Sequence, residues 1–319
     1  SANAGELSVS GTAKATYNIL SGKTNVGKGL GITNELNFTA AGELDNGYTW
    51  SYSMELDPGA TASSTQTTAH DASSATNDDT KMTLTTPYGT VGVFISEGGL
   101  DVEDAASQSV YARPTDMGDP SATSDNFTID AYNNIQYHTP GDLLPFGTTF
   151  KIAYATDLTD VSEGSSGNNA GKTSTVATDF VGESATEMQV TTAPIDGLKL
   201  GASYFEFSGE GVAKNDQGAE SGAYYATYAT GPVSIGYSKA YKAPLLATGS
   251  FLTTTNVNYY DQTNYSVAFA ASDDLSVSYE RESSEANYIN DTEVEQESSA
   301  VQVAYTMGEM TLAVSHGSH

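Results

Sequence analysis

The chain has no cysteine, only 12 basic residues among 319, one tryptophan, and no apolar run long enough to cross a membrane as a helix. Each absence removes a class. Without cysteine there is no disulfide framework and no thiolate metal site. Without eighteen consecutive apolar residues there is no transmembrane helix, although strands of a β-barrel give individually weak hydropathy signals. With 40 acidic residues against those 12 basic ones, for a net charge of −28, nucleic acid is not an expected partner. A hydrophobic fraction of 38% leaves a water-soluble globule of this length short of core material.

What is present is an alternation. Leu7, Val9, Gly11, Ala13, Ala15 and Tyr17 are interleaved with Ser8, Ser10, Thr12, Lys14 and Thr16, and Trp50, Tyr52, Met54 and Leu56 with Ser51, Ser53 and Glu55. The phrase returns at Phe127, Ile129 and Ala131 and at Leu275, Val277 and Tyr279. A period of two puts the two sets on opposite faces of a strand. Strands of about 9–11 residues with one greasy and one polar face suit a transmembrane barrel, whose polar set lines a wet interior.

The reading gives fifteen strands, near 6–19, 30–43, 48–57, 80–87, 90–97, 126–138, 148–157, 175–193, 198–208, 221–230, 232–241, 258–271, 275–284, 295–307 and 309–316. Tight turns are expected at Asp45-Asn46-Gly47, Pro87-Tyr88-Gly89, Ile195-Asp196-Gly197, Gly231-Pro232, Asp273-Asp274 and Gly308-Glu309, with a longer one from Pro140 to Gly147. Between them lie long polar connections near 20–28, 57–80, 97–125, 157–174, 208–220, 242–257 and 285–294. Strict alternation of short and long connections is the layout of an all-β, antiparallel up-and-down barrel in the outer membrane. Such barrels have even strand numbers, so sixteen strands are expected, fifteen of them readable here. Residues 1–319 are read as a single barrel domain. Ala2-Asn3-Ala4 fits an A-x-A cleavage pattern, which implies export by a cleaved signal peptide.

Gly5 to Gly11, Ala41 to Trp50 and Thr86 to Phe94 resemble the trimeric general-diffusion porins of Gram-negative bacteria, especially the alphaproteobacterial type. The resemblance implies a sixteen-stranded barrel, a homotrimer, and a third external loop folded inward to narrow the pore. It departs at the end: such porins usually close on a phenylalanine, and this chain ends in His319. The third long connection, 97–125, stands where the family places its constriction loop. It carries Glu97, Asp101, Glu103, Asp104, Asp116, Asp119 and Asp125 against a single Arg113. Carboxylates crowded in a throat concentrate cations and repel anions.

Strand parity puts Lys14, Glu35, Glu55, Lys81, Asp130, Lys151, Glu187 and Lys199 on the polar, pore-wall set. Family members face the acidic loop with an arginine cluster; with only Arg113 and Arg281 in the chain, Lys14, Lys81 and Lys151 are the available substitutes, each a point charge on a flexible stem. Tyr17, Tyr48, Trp50, Tyr137, Tyr237 and Tyr265 fall on the apolar set near strand ends, as an interfacial aromatic girdle would.

The function expected is passive, cation-preferring diffusion of small hydrophilic solutes through an outer-membrane channel, with membrane lipid and lipopolysaccharide as surroundings. No cofactor and no metal site is expected; Ca²⁺ or Mg²⁺ held loosely between acidic loops and lipopolysaccharide is the one ion role considered. Two alternatives stand beside it. One is a channel selective for a sugar or nutrient, with Phe94, Tyr132 and Phe205 as an inward aromatic path. The other is a secreted β-rich surface-layer or adhesin protein, whose connections need not alternate in length. No enzyme is expected. Gly167 to Thr173 has three residues between its glycines where a phosphate loop needs four, and His70, His138, His316 and His319 form no zinc or nucleophile motif.

Overall fold

A computed structural model describes residues 7–19, 28–57, 76–115, 126–156, 184–208, 215–244, 246–247 and 257–318. The chain divides into two compact units, 1–98 and 99–319.

The first unit is a five-stranded antiparallel meander: β1 (Leu7–Ile19), β2 (Lys28–Glu43), β3 (Thr49–Asp57), β4 (Thr76–Thr86) and β5 (Gly89–Ile95). The first tight turn shows why the sequence reverses where it does. Gly47 takes a φ of 81°, open to glycine at little steric cost, while the Leu44 N–H donates to the Tyr48 carbonyl at 2.7 Å and the Tyr48 N–H to Asn46 Oδ1 at 3.1 Å.

The second unit continues the pattern with β6 (Asn134–His138), β7 (Thr149–Ala155), β8 (Ser184–Ile195), β9 (Leu198–Ser208), β11 (Glu220–Thr230), β12 (Val233–Ala243), β14 (Val257–Ala270), β15 (Leu275–Tyr288), β16 (Glu293–Met307) and β17 (Met310–Ser318). Neighbours in that order pair antiparallel, and a separate two-stranded ladder joins β10 (Asn215–Gln217) to β13 (Leu246–Ala247). The fifteen expected strands are therefore present, running up and down in chain order.

Expected boundaries are corrected at several places. The strand expected over 126–138 begins only at Asn134; Ile129–Ala131 form a 3₁₀ turn. The long connection expected at 285–294 is a turn of four residues, 289–292, closed by the Tyr288 N–H donating to the Thr292 carbonyl at 2.9 Å and the Asp291 N–H to the Tyr288 carbonyl at 3.0 Å. Its polar residues instead extend the β15–β16 ladder, with Glu285 opposite Glu295. Of the loop expected at 57–80, residues 76–80 instead belong to β4 and pair with β3, and of that expected at 208–220, residues 215–217 form β10. Residues 20–27, 58–75, 157–174, 209–214, 245 and 248–256 of the expected loops fall outside the described residues.

Both units turn an apolar face to the surroundings. In the first, Leu7 is 64% exposed, Val9 58% and Met82 58%. In the second, Val301, Val303 and Tyr305 on β16 are exposed, while Ala300, Gln302 and Ala304 between them are buried. Tyr224, Tyr237 and Tyr265 form a row across β11, β12 and β14, with ring centroids 6.4 and 5.2 Å apart. Apolar side chains outside and polar ones covered is the reverse of a water-soluble sandwich.

Candidate functional site

What covers the polar face of the second unit is its own chain. Residues 99–115 and 126–133 cross it, and the wall strands hold them by their backbone. At the base, the fully buried Glu187 of β8 accepts the Leu100 N–H at 3.1 Å and the Ile129 N–H at 2.9 Å on the same Oε2, joining both arms of the segment. Gln189 donates to the Leu100 carbonyl at 2.8 Å. On β9, Ser203 Oγ accepts the Val102 N–H at 3.1 Å and donates to Asp101 Oδ1 at 2.9 Å. Ser221 of β11 serves both the N–H and the carbonyl of Phe127, at 3.1 and 3.2 Å.

Farther along, Ser238 of β12 donates to the Glu103 carbonyl at 2.8 Å and Ser266 of β14 to the Ala106 carbonyl at 2.6 Å. The approach is close enough that a Cβ on Gly236 would stand 1.8 Å from the Ala106 carbonyl oxygen, so only glycine fits there. On β15, Ser278 Oγ accepts the Val110 N–H at 3.0 Å, and Glu280 takes the hydroxyls of Ser107 and Ser109. Glu282 accepts the Thr115 N–H at 3.0 Å and its hydroxyl at 2.7 Å. On β16, Gln302 accepts the Tyr111 N–H at 2.9 Å and donates to the Ala112 carbonyl. Seven wall strands thus contribute polar side chains, most of them to main-chain atoms.

A thin apolar layer is trapped beneath the base. Leu100, Phe127, Ile129 and Tyr132 of the segment pack with Ala153, Ala155, Ala185, Phe205 and Phe207 of β7, β8 and β9, and with Ala219. Phe127 and Phe205 lie 5.6 Å apart at 46°. Lys242 Nζ sits 4.5 Å from the centre of the Phe127 ring, a cation–π contact on a buried lysine. Val102 packs separately with Ala223 and Ala240. Phe94, Tyr132 and Phe205, expected as an aromatic path along a bore, are 4%, 6% and 1% exposed; as buried rings they offer no sliding surface to a solute.

The acidic residues expected in 97–125 separate into distinct roles. Glu97, in the first unit, forms an ion pair with Lys81 of β4. Asp101 accepts the Glu103 N–H at 2.8 Å and Asn126 Nδ2 at 3.1 Å, yet its burial outweighs these donors and raises its pKa above the ordinary carboxylate value. Glu103 accepts the Asn126 N–H at 2.8 Å. Asp104 is exposed and pairs with Arg113, which also reaches Glu282 at 3.4 Å. Asp116, Asp119 and Asp125 lie outside the described residues.

Of the expected wall set, Glu35 accepts Asn37 Nδ2 at 2.6 Å on β2, and Glu55 lies on β3 opposite Asn37 and Asp78. Lys151, on β7, is half-buried opposite His138 and Gln189, and Lys199 is exposed at the start of β9. Lys14 is in β1, with its side chain outside the described set. Asp130 is corrected: it belongs to the 3₁₀ turn of the segment, not to a wall strand, because the chain between Asn126 and Asn133 is bonded to other strands' side chains instead of a ladder.

Sequence reasoning passed over Ser203, Ser221, Ser238, Ser266, Ser278, Glu280, Glu282 and Gln302. The signal was available in the parity of Ser278, Glu280, Glu282 and Ser284, which share one face of β15 with no apolar residue among them.

No protein-family model matches this sequence, and no curated protein matches it. Solved structures do. The chain is similar to OmpF of Salmonella typhi in complex with daunomycin, at 12% identity and a TM-score of 0.66, over 98% of this chain and 90% of that one. It is similar to a loop L8 deletion mutant of OmpT, an outer membrane protein of Vibrio cholerae, at 12% identity and a TM-score of 0.58, over 99% and 95%. A triple mutant of Rhodopseudomonas blastica porin gives 13% identity and a TM-score of 0.62, over 98% and 94%. At such identities the likeness is one of fold: the chain folds as a porin-type, antiparallel up-and-down β-protein.

Proposed function

We propose that the chain closes as a β-barrel in the outer membrane of a Gram-negative bacterium and forms a water-filled, cation-preferring channel for passive diffusion of small hydrophilic solutes. The observation that carries this reading is the inversion of its faces. Leu, Val, Ile, Tyr and Phe side chains are exposed along one face of both units, while the opposite face of the second carries Ser, Asn, Gln and Glu that hold a segment across it. A contiguous apolar face of this extent in water is a liability; against lipid it is the ordinary exterior of a barrel. The same inversion argues against a secreted surface protein, and the burial of Phe94, Tyr132 and Phe205 removes the support for a sugar path.

The segment 99–115 then acts as a constriction loop, and its surroundings set ion preference. Near its Arg113 stand Asp104 and Glu282, Glu280 meets its Ser107, and the whole chain carries −28. Negative charge at a narrow place raises the local cation concentration. Homotrimeric assembly, export by a cleaved signal peptide and a lipopolysaccharide environment belong to the same reading. Purified protein added to a planar bilayer should give discrete conductance steps, with a reversal potential under a KCl gradient on the cation side. An absent conductance sinks the channel; an anion-side potential sinks the preference.

A further inference from the structure

Resting on the channel reading, we propose that the specificity-determining residue of the constriction is Glu280, on the wall strand β15, and not the exposed carboxylate of the segment itself. The two kinds of carboxylate differ in what satisfies them. Asp104, exposed at the segment's surface, is ion-paired with Arg113. Glu280 is fully buried and receives Ser107 Oγ at 2.6 Å, Ser109 Oγ and Asn264 Nδ2, all neutral donors; no cation reaches it among the described residues.

That difference decides how far each charge is felt. An ion pair converts a net charge into a dipole, whose field falls off faster than that of a single charge. Neutral donors stabilise a carboxylate but leave its net charge intact, so its Coulomb field persists with distance. Glu280 is met by Ser107 Oγ, Ser109 Oγ and Asn264 Nδ2, whereas Glu282 is met by the Thr115 N–H and hydroxyl, by Asn264 Nδ2 and by the Arg113 guanidinium. Of Asp104, Glu280 and Glu282, three negative charges, Arg113 offsets one. The excess is carried on the wall side, beneath the segment, where water is excluded and screening by salt is weaker than at an exposed site.

The placement is also fixed. Ser107 and Ser109 bring the segment onto Glu280, and Asn264 holds the carboxylate from β14. The charge therefore stays put whatever the exposed side chains of the segment do. The segment's own Asp101 is half-buried at the base beside Ser203 and Asn126, and desolvation there raises its proton affinity.

The test uses the full chain in planar bilayers under a KCl gradient, reading the K⁺/Cl⁻ permeability ratio and the single-channel conductance together. Glu280→Gln keeps the side chain's length, and the serine hydroxyls can turn to accept from its amide. It should lower the ratio by about twofold or more, while Asp104→Asn lowers it less, since wall fields shift local ion concentration by factors of this size and larger. A Ser107→Ala/Ser109→Ala double variant removes the tethers but keeps the carboxylate, and should lower the ratio less than Glu280→Gln does. An unchanged ratio in Glu280→Gln overturns the proposal, as does an equal fall in the serine double variant, which would assign the effect to loop position. Should Glu280→Gln fail to insert, Arg113→Gln reads the same balance: removing the compensating cation should raise the ratio, and no rise overturns the proposal. A parent protein with no conductance at all defeats the channel reading instead, a distinct outcome.

Discussion

The polar faces of the two units follow the same alternation and end differently. In the first unit Ser8 pairs with Thr39 and Ser51 with Thr83 through their hydroxyls, on a face that stays open or half-open. In the second unit, serines at equivalent parity are buried and bonded to the backbone of a crossing segment: Ser221 is 1% exposed, Ser238 2% and Ser266 6%. Serine stands on both faces. What differs is the arrival of a chain whose main-chain groups, once buried, need partners. A serine on the open face is a solubilising side chain; the same serine on the covered face is half of an obligatory hydrogen bond.

The sharpest way to break that contrast is at the base of the segment. Glu187→Ala strips the Leu100 and Ile129 N–H groups of their shared acceptor, and two buried donors without partners should cost about 2–6 kcal/mol of local stability. Hydrogen exchange at those two amides should rise toward the rate of an open loop; retained protection would show that the segment is held by its apolar layer alone. Next in size, Gly236→Ala pushes a methyl into the Ala106 carbonyl and should cost about 1–3 kcal/mol, as overpacking does. It should lift the middle of the segment off β12 and raise single-channel conductance, while the barrel still migrates as a folded band on unheated gels.

Ser238→Ala removes one bond to the Glu103 carbonyl and should cost about 1 kcal/mol, whereas Ser51→Ala in the first unit should stay within about 0.5 kcal/mol. Equal costs in urea titrations of the two variants would erase the distinction between the faces. The smallest effect is that of pH on Asp101. Its pKa in the folded chain is raised, so the folded state holds its proton to higher pH than the unfolded chain does. The contribution is complete below the ordinary carboxylate value and is lost as pH rises through the raised one. Protection of the Val102 and Glu103 amides, corrected for intrinsic exchange, should fall across that window in the parent and stay flat in Asp101→Asn.

Much of this was legible in the residues. Alternation such as Leu7-Ser8-Val9-Ser10 gave the strands and their faces, and Asn46-Gly47 gave a turn whose positive φ is observed. Two stretches misled for opposite reasons. Phe127, Ile129 and Ala131 alternate like a strand, but Phe127 and Ile129 instead enter the apolar layer under the segment, since a period of two reports which side chains are covered and not what covers them. Residues 285–294 look like a loop because they are polar, yet a strand end with two polar faces pairs as well as any other, as Glu285 and Glu295 do. The wall contacts at Ser238, Ser266 and Gln302 could not be read at all, because they depend on a segment more than a hundred residues away in the chain.

The wall grips the segment chiefly through amides and carbonyls, at Leu100, Val102, Glu103, Ala106, Val110 and Tyr111. A main-chain group is the same whatever residue carries it. Side chains such as that of Ala105, which take no part in these bonds, are thereby released from the duty of holding the loop in place. In the channel proposed above, exchanging them would re-tune what passes without rebuilding the scaffold: an interchangeable sieve set in a permanent frame, for natural drift or for a designer.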